Sequence, residues 1–102
     1  MRYTWDERKN RGNLKKHGIL FEDAVRIFEG STLERVDDRF DYGETRVISI
    51  GLVGALEVVV IYADEETELK DGDAERRIIS ARSAEHHERE AYWNWIAGQS
   101  AS

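Results

Sequence analysis

The chain has 102 residues and no cysteine, which fits one domain with a single core and excludes disulfides, cysteine-based zinc sites and thiol nucleophiles. Its net charge is −6, but residues 1–17 carry six Lys/Arg against two Asp/Glu, residues 18–75 carry five against sixteen, and residues 76–102 carry four against three. Basic ends around an acidic middle can build an anion-binding patch on an acidic protein, although a solvated surface of mixed charge is the simpler interpretation.

The chain lacks the apolar segments that membrane insertion or secretion require. Its most apolar uncharged run, residues 47–56, is too short to span a bilayer and contains two glycines. The first nine residues contain no apolar core of a signal peptide. We therefore expect a soluble, cytoplasmic protein that does not bind a membrane.

The N-terminal segment predicts a short strand followed by a helix. "RYTW" is typical of a strand, Asp6 is a candidate N-cap, and Gly18 is a candidate C′ residue that ends the helix "ERKNRGNLKKH". One face of this helix carries Asn10, Asn13, Leu14 and His17. Because that face is poor in apolar residues, packing alone is a weak reason for the helix to form.

The second predicted helix is clearly amphipathic. In "FEDAVRIFEG", Phe21, Ala24, Val25 and Phe28 recur at helical spacing, and Gly30 ends the pattern.

The middle of the chain predicts β-structure, because its apolar runs are rich in valine and isoleucine. The expected strands are "LERVDDRF", "ETRVISIG", "LEVVVIYA" and "RRIISA"; "DYG" and "LVGA" are expected turns, and "DEETELKDGDAE" a charged loop. A final helix is expected to start from Ser83 as its N-cap, with one face formed by Ala84, Glu88, Ala91, Tyr92 and Trp95. The order β-α-α-β-β-β-β-α predicts an α+β fold, in which helices pack on a mostly antiparallel sheet.

Several motifs resemble the BrnT family of bacterial toxins. They are "W-D-x-x-K-x-x-x-N-x-x-K-H-G" from Trp5 to Gly18, "F-E-D-A" from Phe21, "E-T-R" from Glu44, "R-I-I-S-A-R" from Arg77, and "A-x-x-x-E-R-x-x-Y" from Ala84. The resemblance implies a RelE-like fold and an endoribonuclease toxin of a type II toxin-antitoxin system. The matching motifs cover most of the chain. We expect residues 1–102 to form one domain, in which residues 93–102 are a C-terminal extension.

The resemblance also implies partners. A BrnA-like ribbon-helix-helix antitoxin would neutralise the toxin, RNA would be the substrate, and DNA would be reached only through the antitoxin. A homodimer and a heterotetramer with the antitoxin are both open, and no cofactor is expected.

RNA cleavage without a metal needs a base for the 2′-OH, cations for the phosphorane and an acid for the leaving 5′-oxygen. The resemblance, together with residue chemistry, suggests His17, Glu44, Arg46 and Arg82 as catalytic residues. Glu44 and Arg46 share a strand face with Ile48, so they are either an ion pair at the core rim or a phosphate-holding arginine with a nearby base. His17 is either an acid, a base or a phosphate ligand, or a histidine that only satisfies carbonyls at the helix end.

The RNA-binding candidates are Lys9, Lys16, Arg77 and Tyr92. The lysines are surface residues by default, and Tyr92 on the inner helix stripe is more often a core residue. In a regular strand Arg77 and Arg82 point to opposite faces, although a strand end or a bulge can relax this. Arg82 is the preferred phosphate contact, because it lies at the junction between the strand and the helix. We expect Arg46 and Arg82 to converge on one concave surface with Lys9 or Lys16.

His86 and Glu90, at i and i+4, can offer two metal ligands, whereas zinc usually requires three or four. The further donors Asp64, Asp71 and Asp73 lie in an acidic segment of unknown position. We therefore interpret His86 and His87 as a solvated helix start and expect no metal.

Two other functions stay open. One is a catalytically inactive toxin-like module that only binds protein, which the acidic middle favours; the other, more distant, is a small metal-dependent hydrolase. A ribonuclease needs a contiguous basic cleft despite its net negative charge, so surface charge discriminates between these functions.

Overall fold

The computed structural model describes residues 1–66 and 74–100, apart from the side chains of residues 66 and 100. The strands are β1 (Arg2–Thr4), β2 (Leu33–Asp37), β3 (Arg46–Val53), β4 (Leu56–Glu66) and β5 (Ala74–Ser83). The helices are α1 (Glu7–His17), α2 (Phe21–Ala24), a 3₁₀ helix (Val25–Glu29) and α3 (His86–Ser100). No helix in these ranges is long and apolar enough to cross a membrane.

All five strands belong to one sheet, in the order β1-β5-β4-β3-β2. Strands β2 to β5 pair antiparallel, and only the short β1 runs parallel to its neighbour β5. The predicted α+β class, the order of elements and the mostly antiparallel sheet are therefore confirmed.

Helices cover the sheet on both sides, which explains why consecutive residues of β4 are buried. Val58 and Val60 point to a cluster with Phe21 and Ile27, on the side that we call the back face. Val59 points to the other side, the front face, where it joins a cluster with Ile48, Ile50 and Tyr92 of α3. Alternation along a strand sends its odd and even residues to opposite clusters.

Helix α1 is fastened by hydrogen bonds from buried asparagines, since its apolar stripe is too thin to hold it. The Asn13 amide donates to the carbonyls of Ile19 (2.9 Å) and Ala81 (2.8 Å) and accepts from the Ala81 N–H (3.1 Å). Asn13 thus satisfies backbone groups at the edge of β5, in the part of this strand that β1 does not reach. Asn10 accepts from the Phe21 N–H at 2.8 Å, which ties α1 to α2.

Both predicted ends of α1 are confirmed. Asp6 accepts from the N–H groups of Arg8 and Lys9, and Gly18 adopts the left-handed conformation at φ 74°. The second helix differs from its prediction, because it tightens into a 3₁₀ helix after Ala24. That change brings Ile27, absent from the predicted stripe, into the core at 0% exposure. The Ile27 side chain packs directly against Gly51. A Cβ atom at position 51 would lie only 2.7 Å from the Cβ of Ile27.

The predicted helix start at Ser83 is wrong. Ser83 still pairs with Val58 in the sheet, and α3 begins at His86. The cap comes from Glu88, whose Oε1 accepts from the Glu85 N–H at 2.8 Å, as in one half of a capping box.

The predicted charged loop at residues 64–75 is also shorter than expected. Strands β4 and β5 extend into it from both sides, up to Glu66 and from Ala74. The rest of it, including Asp71 and Asp73, lies outside the described residues.

We expect Asn13→Ala to lower the free energy of unfolding by about 2–4 kcal/mol, because buried backbone groups of Ala81 and Ile19 lose their partner. Asn94→Ala is the matched control, since Asn94 is an exposed residue inside α3 and the change in helix propensity is the same. Urea unfolding followed by circular dichroism measures both. Equal stability of the two variants would show that the amide does not hold α1 to the sheet.

Candidate functional site

A β-bulge in β5 gathers arginines on the front face. Ser80 pairs with Ile61 and Ile78 with Tyr62, so Ile79 is an extra residue without a partner in β4. Arg82 therefore lies opposite Val59, and Arg77 lies opposite Ala63. Since Val59 and Ala63 share a face, Arg77 and Arg82 share it too, which a regular strand would not allow.

Arg46 belongs to the same face, because it alternates in step with Ile48 and Ile50 of the front cluster. About 13 Å of strand separates the row of Arg82 from the row of Arg77, at 3.3 Å per residue. The arginines thus stand at both ends of a short apolar floor that includes Ile48 and Ile61.

Glu44 links Arg46 and Arg77. Its Oε1 accepts from Arg46 Nη2 at 3.4 Å and from Arg77 Nη2 at close range, and its Oε2 accepts from Arg77 Nη2 at 2.6 Å. Arg77 also contacts Glu65. Burial raises the pKa of Glu44, but the hydrogen bonds from Arg77 and Arg46 outweigh burial and leave this pKa below its ordinary value. Glu44 is therefore a carboxylate that stays ionised between two cations.

Arg46 keeps unused hydrogen-bond donors. Its guanidinium lies over the Tyr42 ring, 4.1 Å from the centroid, and its buried Nε has no hydrogen-bond partner among the described residues. Tyr42 in turn donates to Asp37 Oδ2 at 3.1 Å, and Arg39 donates to both oxygens of Asp37 at 2.8 Å. The hydrogen bond from Arg39 lowers the pKa of the buried Asp37 carboxyl well below its usual range.

Arg82 makes a bidentate pair with Glu88 of α3, at 2.6 and 2.9 Å. Hydrogen bonding within this pair lowers the pKa of Glu88 and raises the pKa of Arg82, and burial opposes both shifts. The pair also ties the first turn of α3 to the sheet.

A cleft of about 300 Å³ opens between α3 and the β2 side of the front face. It is lined by Leu33, Glu34, Arg35, Ile48, Ile50, His87, Glu88 and Ala91. Arg35 is exposed and forms no hydrogen bond or ion pair with any described residue through its side chain. The cleft is therefore an apolar groove with a free cation, a histidine and the Arg82–Glu88 pair at its walls.

The structure brings together four of the predicted site residues and leaves the others apart. Glu44, Arg46, Arg77 and Arg82 lie on the front face. Lys9, Lys16 and His17 are exposed on α1, and their side chains contact none of the described arginines by hydrogen bond or ion pair.

Tyr92 is only 2% exposed, and its hydroxyl donates to the Ser31 carbonyl at 3.0 Å. Its ring therefore packs in the front cluster and offers no free face for a nucleobase.

Sequence reasoning missed Arg35, Arg39 and His87. The first two occupy alternate positions with Asp37, a spacing that would have put all three on one strand face. No comparable signal marked His87, because only the docking of α3 brings it to the cleft.

The described residues include one cluster with metal-ligand chemistry, formed by Glu85, His87 and Glu88. Glu88 is already occupied by Arg82, and the other two side chains are exposed. His86 and Glu90 pair with each other at 3.0 Å on the solvent side. The absence of a functional metal stays a prediction.

Comparisons with known proteins place these features in a family context. A family model for "Ribonuclease toxin, BrnT, of type II toxin-antitoxin system" matches residues 5–88. The 1.1 Å crystal structure of the Brucella abortus ribonuclease toxin BrnT is similar, with a TM-score of 0.60 and 28% sequence identity. That match covers 84% of this chain and 99% of the Brucella chain. A search of curated proteins finds no match.

We expect Glu88→Gln to lower the free energy of unfolding at pH 7 by about 1.5–3 kcal/mol, the usual range for a hydrogen bond to a charged group. The pKa of Glu88 is lowered in the folded state, so its contribution is present above the ordinary glutamate pKa of about 4.3 and fades as the pH falls towards the lowered value. The difference between the variant and the wild type should therefore shrink below pH ~4.

Thermal unfolding monitored from pH 7 to pH 3 tests this dependence. Glu90→Gln is the control, because Glu90 is exposed on the same helix, and its effect should stay within about 0.5 kcal/mol. If the loss of stability in the Glu88 variant stays constant with pH, the ion pair is not the cause of that loss.

Proposed function

The chain belongs to the BrnT family of ribonuclease toxins of type II toxin-antitoxin systems, and from that premise we propose that it is a metal-independent endoribonuclease whose RNA site is the front face. The observation that carries the proposal is the convergence of Arg46, Arg77 and Arg82 on that face through the β5 bulge. Five arginines surround it among the described residues, and four of the nearby carboxylates pair with them, so the face concentrates guanidinium groups on an acidic chain. The arginines are Arg35, Arg39, Arg46, Arg77 and Arg82, and the carboxylates are Asp37, Glu44, Glu65 and Glu88.

Phosphate recognition follows from the donors that these arginines retain. A guanidinium presents five N–H groups in a fork that matches a phosphate, and Arg46 uses few of them. A phosphate that binds Arg46 and Arg77 competes with Glu44 for the same donors.

In the proposed reaction the 2′-oxygen attacks the adjacent phosphorus, and the P–O5′ bond breaks. Glu44 accepts the 2′-OH proton. The arginine pairing that lowers its pKa weakens as the phosphate takes over the guanidinium groups, so the carboxylate becomes a better base when substrate is bound. Arg46 and Arg82 stabilise the negative charge that develops on the phosphorane.

Metal independence is proposed from the chemistry of the donor set. An arginine pairs with each of the carboxylates Asp37, Glu44, Glu65 and Glu88. A nucleophile built into the RNA itself needs no metal-activated water. Products ending in a 2′,3′-cyclic phosphate or a 3′-phosphate follow from this route.

A protein antitoxin accompanies toxins of this type, and we take its identity to be a BrnA-like ribbon-helix-helix protein that covers the front face. An exposed apolar side chain borders that face and suits such an interface, since Phe40 is 69% exposed and packs against Tyr42. DNA would be contacted only through the antitoxin. The assembly is proposed to be a homodimer or a heterotetramer with the antitoxin. The proposal also includes a cytoplasmic location and a RelE-like fold.

The C-terminal segment 93–102 is proposed to be an extension of the same domain. Trp95 and Ile96 pack against the front cluster, while Trp93 is 44% exposed and donates to Glu57 at 2.9 Å. A catalytically inactive binding module is the second candidate function. It is favoured by the mutual pairing of the front-face charges, which leaves Arg35 as the exposed arginine without a described partner.

Inducible expression of the chain alone tests the activity in cells. We expect growth arrest and new RNA 5′ ends within minutes, both suppressed when the neighbouring reading frame is expressed as well. Arrest without new RNA ends would favour the inactive binding module over the enzyme.

Cleavage in vitro tests the mechanism. We expect activity in EDTA and its loss when 2′-deoxy replaces the nucleotide at the cut site, because the nucleophile is then gone. Arg46→Ala and Arg82→Ala should each slow cleavage by roughly 10²- to 10³-fold, as for one transition-state donor. Arg11→Ala, an exposed arginine of α1, is the matched control and should cleave at the wild-type rate. Unchanged cleavage of the 2′-deoxy site would refute attack by the 2′-oxygen.

A further inference from the structure

His87 stands where the proposed reaction lacks a proton donor. It lies in the first turn of α3 and lines the front-face cleft together with Arg35, Ile48 and Glu88. Its Nδ1 is 3.5 Å from Glu85 Oε2, which leaves Nε2 for a ligand in the cleft. The cleft lies over the apolar floor at Ile48 and Ile50, beside Arg35.

The other groups of the front face are poor acids. Arginine is not deprotonated in proteins, so its guanidinium holds charge but does not give up a proton. Glu44 and Glu88 have lowered pKa values and are ionised at neutral pH. Burial raises the pKa of Tyr92, and its hydroxyl already donates to Ser31. An imidazole is the side chain that exchanges protons near neutral pH.

We infer that His87 is the general acid of this site and protonates the leaving 5′-oxygen of the RNA, an inference that rests on the proposed ribonuclease function. As the 2′-O–P bond forms, Glu44 takes the 2′-OH proton. As the P–O5′ bond breaks, the electron pair of that bond goes to O5′, and the proton on His87 Nε2 goes to the same oxygen. One proton enters the protein and one leaves it, so the step is balanced.

Charged groups face His87 from two elements. Glu85 and Glu88 lie beside it at the start of α3. On the sheet, Arg35 lines the same cleft, and Arg82 is held by Glu88 at 2.6 Å. Glu34, the remaining carboxylate at the cleft, directs its side chain to the back face, where it accepts from Ser49 and Tyr62.

The neighbouring histidine provides a comparison within the same turn. His86 is as exposed as His87, with side chains 77% and 76% accessible, but it pairs with Glu90 and does not line the cleft. His17, the acid or base suggested by sequence, lies on α1 without a described contact to the front face. The position on the cleft therefore distinguishes His87 from the other two histidines.

A substrate with a sulfur leaving group tests the role directly. An RNA oligonucleotide carrying the mapped cut site is prepared with the bridging 5′-oxygen or with sulfur in its place, and cleavage is measured with and without ribosomes. A thiolate leaves without protonation, since a thiol has a pKa of about 8.5. We expect His87→Gln to slow cleavage of the oxygen substrate by roughly 10²- to 10⁴-fold, the range of general acid catalysis.

On the sulfur substrate His87→Gln should cleave within a few-fold of the wild type, and His86→Gln should match the wild type on both. Two results overturn the inference. In the first, the His87 variant is equally slow on both substrates, which means that it has lost structure or binding; in the second, it cleaves the oxygen substrate at the wild-type rate. In both cases an active wild type leaves the ribonuclease function intact. A wild type that cleaves no RNA refutes the proposed function and the inference together.

Discussion

One extra residue in β5 decides which side chains meet on the front face. Two pairs of residues in this strand are separated by an odd number of positions, Arg77 with Arg82 and Ile78 with Ala81, yet each pair shares a face. A regular strand would place the members of each pair on opposite sides. The bulge at Ile79 resolves both conflicts at once. The same strand therefore completes the apolar back core and sends two arginines to the front.

Carboxylates make this concentration of arginines compatible with a folded acidic protein. Five guanidinium groups on one face would repel each other, and Asp37, Glu44, Glu65 and Glu88 compensate most of that charge. The ion pairs also restrict the arginine side chains, which reduces the entropy cost of binding a phosphate at the proposed site. In the proposed reaction, competition between phosphate and carboxylate couples RNA binding to the release of Glu44. Some of the carboxylates that make this chain acidic are thus part of the proposed site.

The sequence predicted most of the fold because its signals are local. Asp6 and Gly18 end α1 through their own backbone and side-chain preferences, and the hairpin turns at Gly54, which adopts φ 60°. No comparable signal marks the bulge, because an extra isoleucine leaves the strand as apolar as before. The predicted helix start at Ser83 was wrong because serine is equally acceptable at the end of a strand. The four front-face residues came from family motifs, whereas His87 required the docking of α3.

The central claim is that RNA binds the front face, between α3 and the bulged strand. Methyl NMR spectra recorded during titration with an RNA whose cut site carries 2′-deoxy test it without turnover. The account predicts shifts of the Ile48 and Ile61 methyl resonances, on the arginine-lined floor, with little change at Ile19 near α1. Shifts centred on Ile19 and Leu14, with Ile48 and Ile61 unaffected, would contradict the account and place the RNA on the α1 side.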